Sequence, residues 1–185
     1  LIWTGEQWLV AASGAGAEIE ADGVEILPGQ AVQQTVLSLD GVEVDVTDSN
    51  AYGSTQLLTF PEGRILVLGV TASIQWAVLT PRASTINDSA SLTWALGGAA
   101  ASSDTLASGM VDLLPKTTKV LAAAAAALNT PSNAALAASA QFDGTSSARE
   151  MHLNCGFETG TDIDGDGTLA ATGTINTTWI NLGDY

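Results

Sequence analysis

The sequence predicts an all-β protein, folded as an antiparallel β-sandwich or barrel. Three observations indicate this class: short apolar runs alternate with polar residues at a period of two, turn residues separate the runs, and a single segment is a good helix candidate. The 185 residues suit one domain with one core. We assign residues 35–185 to the sandwich and residues 1–34 to an extended N-terminal arm.

Strand patterns dominate from residue 42 onward. The clearest has Val42, Val44 and Val46 alternating with two acidic residues. Turn signals at 61–63 and 97–98 and Pro81 mark strand ends. The predicted strands are 42–46, 57–60, 64–68, 70–79, 91–96, 151–157 and 168–182.

Three tryptophans lie in apolar strand patterns, and we expect them to be buried in one core between two sheets: Trp76, Trp94 and Trp179. After Trp179, the apolar residues Ile180 and Leu182 fall on the opposite face of the last strand. This change of face predicts a β-bulge or burial on both sides near the end.

The middle of the chain is less regular. Residues 99–109 are small and polar and predict a loop, and a short apolar piece at 111–114 is closed by Pro115. The alanine run in 120–128 favours a short helix, although a buried strand with small side chains is the competing interpretation. The fold therefore contains at most one short helix.

Charge excludes two classes of partner. The chain has 20 Asp and Glu against 5 Lys and Arg, and its net charge of −15 repels phosphate backbones, so we expect no nucleic-acid binding. The five cations form no polybasic run and no transmembrane helix is predicted, so we expect no membrane partner. The N-terminus lacks the basic region of a signal peptide, and none is expected.

Catalytic signatures are missing. The one histidine, His152, lies on the polar side of a strand and is predicted to be a surface residue. The one cysteine, Cys155, lies on the apolar side and is predicted to be a buried free thiol. Three residues apart on a strand, the two side chains point to opposite faces and cannot form a dyad. No nucleophile elbow, phosphate loop or dinucleotide signature is present. We therefore expect no enzymatic activity, no catalytic residue and no required cofactor.

One motif has side chains that could bind a metal ion: Asp162, Asp164 and Asp166, separated by Ile163 and Gly165. Alternate aspartates followed by glycine match the first half of a calcium loop, and Glu158 is a candidate extra ligand. The twelfth position is Gly173 instead of a bidentate glutamate, so this is not an EF-hand. Either a Ca²⁺-binding hairpin loop or an exposed acidic turn fits the pattern.

The N-terminal arm carries two tryptophans outside any long periodic run, Trp3 and Trp8. They either pack on the core of their own chain or dock on another subunit. We predict the second, and expect deletion of residues 1–10 to weaken assembly while leaving the fold intact.

Three segments resemble a family of tailed-bacteriophage virion proteins: FPEGRILVLGV (60–70), SASLTWALGGAAASSDTLASGMVDLLPKT (89–117) and TGTINTTWINLGDY (172–185). The resemblance covers roughly residues 57–185. It implies a jelly-roll-like β-sandwich on the capsid exterior, acting as a decoration (cement) protein or head fibre. It also implies a homo-oligomer whose partner is the major capsid protein, but it transfers no functional residue.

Two functions of different classes follow. The first is a capsid decoration protein that stabilises the shell, and the second is a carbohydrate- or receptor-binding β module of a phage fibre or secreted protein. An exposed aromatic cluster in a groove would favour the second.

Overall fold

The computed structural model describes residues 2–3, 8–9, 32–79, 86, 90–121, 130–133, 141–158 and 162–183. Its strands are β1 (Ile2–Trp3), β2 (Trp8–Leu9), β3 (Gln33–Val46), β4 (Tyr52–Thr59), β5 (Gly63–Val78), β6 (Ser91–Gly97), β7 (Leu114–Val120), β8 (Thr130–Asn133), β9 (Gln141–Gly144), β10 (Glu150–Gly156) and β11 (Gly167–Asn181). The described part holds no α-helix, only a 3-10 turn at Ser108–Met110, and no helix long and apolar enough to cross a membrane. The all-β prediction is confirmed.

Strands β3 to β11 form two antiparallel sheets, and β1 pairs with β2 in a separate two-stranded ladder. The large sheet has the order β3-β11-β5-β8, with β9 also pairing with β5, and the small sheet has the order β4-β10-β6-β7. The first four strands of these two sheets pair, in reverse order, with strands later in the chain: β3 with β11, β4 with β10, β5 with β8 and β6 with β7. This is the strand order of a jelly roll, a long antiparallel ribbon folded into two sheets. The jelly-roll-like sandwich is thus confirmed.

The core lies between the sheets. Trp76 on the large sheet and Trp94 on the small sheet are both fully buried, with ring centroids 6.5 Å apart. Trp179 is half-buried at the margin, where its ring meets Phe60 edge-on at 5.6 Å and its indole N–H donates to the Thr35 hydroxyl at 3.0 Å. The predicted burial therefore holds fully for two tryptophans and in part for the third.

The long strands of the large sheet bend at irregular pairings. One lies between Ala171 and Gly173 of β11 against β3, and another between Thr178 and Trp179 against β5. In the second, the extra residue is Leu68 of β5, while β11 pairs regularly with β3 from Gly173 to Trp179. The bulge predicted in the last strand before Ile180 therefore lies in the neighbouring strand.

A loop covers the outer face of the small sheet. The central strands β6 and β10 are buried along almost their whole length, so both of their faces are covered. Asn154 of β10, fully buried, holds residues 98–113 against that face with its side-chain amide. Its Oδ1 accepts from the Ala101 N–H at 2.8 Å and the Ser54 hydroxyl at 2.7 Å, and its Nδ2 donates to the carbonyls of Ala99 and Met110 at 2.9 Å.

Several details differ from the sequence prediction. Strand β7 (LPKTTKV) was not predicted, because its residues lack an apolar alternation and most of those after Leu114 are exposed. Pro115 is tolerated since β7 is an edge strand. Strand β3 begins at Gln33, well before the predicted alternation and within the last residues assigned to the arm. The helix candidate at 120–128 lies almost entirely outside the described residues.

Candidate functional site

The outer side of the large sheet carries an uncharged surface, which we call the neutral face. It is formed by alternate residues of three adjacent strands in the half of the sheet where β3 begins. None of them is charged: Gln34, Val36 and Ser38 of β3, Thr174, Asn176, Thr178 and Ile180 of β11, and Leu66, Thr71 and Ser73 of β5.

The strand register establishes that these residues share one side. Val36 lies opposite Asn176, which lies opposite Thr71. The adjacent row, Leu37 opposite Ile175, points the other way, and both contribute to the core. Because the side chains of a strand alternate between faces, the row through Val36 must point outward.

The other half of the same sheet is acidic. Beyond Gly41, the outward positions of β3 are Glu43 and Asp45, both exposed, and Asp48 follows in the turn to β4. The Asp45 carboxylate accepts from the Thr168 hydroxyl at 2.7 Å, beside a shallow cleft of about 270 Å³. The large sheet therefore has an acidic half, and in its other half an uncharged patch that ends at the exposed Arg64 of β5. The polar but uncharged runs QQTVLS and TINTTWIN are the sequence signal for the neutral half.

The aspartate loop does not join a hairpin, contrary to the prediction. Strand β10 before it pairs with β4 and β6 of the small sheet, whereas β11 after it pairs with β3 and β5 of the large sheet. The loop thus crosses from one sheet to the other. Ile163 in its centre is buried and bridges to Ile86, an anchor that the acidic pattern did not reveal.

The three aspartates serve different neighbours. Asp162 accepts a hydrogen bond from the Ser91 N–H at 3.0 Å, at the start of β6, and Asp166 accepts one from the Asp48 N–H at 2.9 Å. Asp164 is exposed. Glu158, the candidate fourth ligand, pairs instead with the Lys116 ammonium at 2.7 Å. Within the described residues, no three acidic, His or Cys side chains are grouped so that they could hold a metal ion. Calcium binding by this loop stays a prediction.

The prediction that His152 is a surface residue is wrong: the residue is only 8% exposed. Its strand is covered on the outer face by the loop at 98–113, which the period-two pattern could not show. Its Nε2 lies 3.0 Å from the Glu150 carboxylate. Cys155 is a buried free thiol, as predicted, and burial raises its pKa to about 12. A thiol with so high a pKa is a poor nucleophile at neutral pH.

Trp3 and Trp8 lie on the two-stranded ladder of β1 and β2, where they are direct register partners. Their predicted contact with another subunit concerns side chains outside the described part of the chain, so it stays a prediction.

No protein-family model and no curated protein matches the chain. Solved structures of virus particles do match. The infectious bursal disease virus Gx strain matches at 11% identity over 92% of this chain and 38% of that chain, with a TM-score of 0.34. The Gt strain of the same virus matches at 8% identity over 92% and 37%, with a TM-score of 0.38. A human norovirus GI.7 particle matches at 12% identity over 80% and 32%, with a TM-score of 0.33. The chain spans well under half the length of these proteins, and at such scores the similarities carry no functional argument.

Proposed function

We propose that the chain is a non-enzymatic virion structural protein that decorates and stabilises the outside of a tailed-phage capsid as a homo-oligomer. The resemblance of residues 57–185 to tailed-phage virion proteins supports this proposal. The observation that carries it is the neutral face on a chain with a net charge of −15.

A decoration protein must approach a large protein surface closely while keeping its exterior repulsive to other particles. Protein–protein interfaces are depleted of charged residues at their centres, because burying an unpaired charge is costly. The neutral face meets this requirement, and the acidic half of the same sheet stays in solvent. A specific interface buries about 1,200–2,000 Å² in total, and a decoration subunit that spans two capsomers opposes their separation.

The alternative of a carbohydrate-binding module lacks a supporting observation. Its signature would be an exposed cluster of aromatic side chains. Of the aromatic side chains in the described part of the chain, Phe60, Trp76, Trp94 and Phe157 are buried, and Tyr52 and Trp179 are half-buried.

A matched pair of substitutions tests the proposal. Thr71→Glu adds one negative charge to the neutral face, and Gln75→Glu adds the same charge to an exposed, outward position of the same strand in the other half of the sheet. Each is added back to particles stripped of the protein. We expect Thr71→Glu to bind at least about ten-fold more weakly, because an unpaired charge at an interface costs more than 1.4 kcal/mol. Gln75→Glu should bind like the unmodified protein.

Stability of the particles gives the second measurement. Particles that carry the protein should resist heat and low ionic strength better than stripped ones. Equal resistance would remove the cementing role, and specific binding of a glycan by the isolated protein would favour the receptor-binding alternative.

A further inference from the structure

The aspartate loop contains a dipeptide with a chemistry of its own. Asp164 is followed by Gly165, and an Asp-Gly pair can rearrange without an enzyme, because the backbone nitrogen of the glycine can attack the side-chain carboxyl group of the aspartate. Glycine favours this reaction since it has no Cβ to hinder the approach. The described part of the chain holds four such pairs, at 40–41, 143–144, 164–165 and 166–167, and a fifth, at 22–23, lies outside it.

Hydrogen bonds hold a reacting group in two of these pairs. Gly41 donates from its backbone nitrogen to the Thr172 hydroxyl at 3.1 Å. The Asp143 carboxylate accepts from the hydroxyl of Thr145 at 2.7 Å and from its N–H at 3.2 Å. Both bonds lower the pKa of the Asp143 carboxyl group, so it stays ionised, and a carboxylate is a poorer electrophile than a carboxylic acid.

The pair at 166–167 is restrained at both of its residues. Asp166 accepts a hydrogen bond from the Asp48 N–H at 2.9 Å. Gly167 is buried and is the first residue of β11, where it lies opposite Val46 of β3. The carboxyl group would have to leave the Asp48 N–H in order to reach the nitrogen of a residue that the sheet holds in place.

The pair at 164–165 has neither kind of restraint. Asp164 is exposed, Gly165 is half-buried, and the backbone bends at both residues outside any strand. Among the residues that the structure describes, none makes a hydrogen bond or ion pair with the Asp164 carboxylate or the Gly165 N–H. The attacking nitrogen and the carboxyl group are therefore both available.

We infer that Asp164 is a site of spontaneous isomerisation to isoaspartate in the folded protein. The Gly165 nitrogen bonds to Cγ of Asp164 and gives up its proton, the carboxyl group loses one oxygen as water, and a succinimide ring closes. Solvent water then opens the ring on either side. Opening at the side-chain carbonyl restores aspartate. Opening at the backbone carbonyl leaves the chain running through Cβ and Cγ, with the former backbone carboxyl group as the side chain.

The place of this pair in the loop gives the reaction a structural consequence. Ile163 before it is 2% exposed and bridges to Ile86, and Asp166 after it is bonded to the Asp48 N–H. Isoaspartate adds one carbon atom to the backbone between these two anchors. We expect the Asp166 hydrogen bond to yield first, because Asp166 is exposed whereas Ile163 is buried.

Incubation of the folded protein in near-neutral buffer tests the inference, with digestion and fragmentation mass spectrometry that distinguishes isoaspartate from aspartate. Isoaspartate should form at Asp164 at least about ten-fold faster than at Asp40, Asp143 or Asp166, a difference of about 1.4 kcal/mol in activation free energy. In protein unfolded by urea the four rates should converge, because unfolding removes the restraints. Equal rates in the folded protein, or the same preference for Asp164 in urea, would overturn the inference.

Two variants provide matched controls. Asp164→Glu keeps the charge but requires a larger ring that closes more slowly, so the product at this position should disappear and the other rates should not change. Thr172→Val removes the acceptor of the Gly41 N–H and should raise the rate at Asp40 toward that at Asp164; an unchanged rate would refute selection by the fold. Amide exchange at Asp48 should accelerate in incubated unmodified protein and stay slow in incubated Asp164→Glu.

Discussion

Replacing Asn154 with alanine should loosen the loop that covers the small sheet. The side chain is fully buried and makes four hydrogen bonds, three of them to backbone groups of the loop at Ala99, Ala101 and Met110. Each such bond contributes about 1 kcal/mol net, so the gross loss is about 4 kcal/mol. Lifting the loop would hydrate those groups but would expose Leu106, which is 2% exposed. We therefore expect the free energy of unfolding to fall by about 2–4 kcal/mol.

Urea denaturation followed by tryptophan fluorescence measures this loss. Asn176→Ala is the matched control, because Asn176 lies half-buried on the outer face of β11; its replacement should change stability by no more than about 0.5 kcal/mol. Amide hydrogen exchange should accelerate at Ala101 in Asn154→Ala and stay unchanged in the control. A loss below about 1 kcal/mol with unchanged exchange would refute the role assigned to this amide.

Three further predictions concern packing, pH and metal. Gly156→Ala should destabilise the fold by about 1–3 kcal/mol, because an added Cβ would collide with the Asp104 carbonyl, whereas Gly69→Ala, with open space around it, should be neutral or slightly stabilising in the same denaturation experiment. The thiol of Cys155 keeps its proton up to a pKa of about 12 when folded but loses it near 9.0 when unfolded, so stability should fall as pH rises above 9, by about 1.4 kcal/mol at pH 10; Cys155→Ala should lack this contribution, and parallel curves for the two proteins would contradict it. For calcium, the placement of the aspartates favours identical melting curves with calcium and with chelator, while a higher Tm with calcium that is lost in Asp164→Asn would confirm the calcium loop.

The fold class could be predicted because the strands of the core have one apolar and one polar side. Strand β5 shows this well: its two predicted pieces, 64–68 and 70–79, are one strand, and the buried positions follow the alternation on both sides of Gly69. The prediction failed where both faces are covered. His152 lies on the polar side of its strand, yet it is buried, because a loop distant in sequence covers the outer face of that strand at Asn154. No local pattern encodes this cover.

The aspartate loop shows a second limit. Its composition is typical of both a calcium loop and an acidic turn, and only the tertiary structure shows that Asp162 and Asp166 accept backbone hydrogen bonds from two different segments. Nor could the sequence place the loop between the sheets, because sheet membership depends on pairings with β3 and β4, which are more than a hundred residues away.

The boundary between the neutral and acidic halves of the large sheet coincides with a bulge in the pairing of β11 with β3. At this point Gly173 of β11 adopts a φ of 150°, and its missing side chain lets the Ser73 carbonyl of β5 approach closely. Opposite it, the Gly41 N–H of β3 donates to the Thr172 hydroxyl at 3.1 Å. A bulge increases the local twist of a sheet. We therefore expect the acidic side chains of one half to be turned away from whatever contacts the other half. If this orientation matters for binding, a change at the bulge should weaken binding without any change in charge. Gly173→Ala protein that still folds should therefore bind stripped particles more weakly, although its net charge is unchanged. Unaltered binding by such a folded variant would show that the neutral face acts without the bulge.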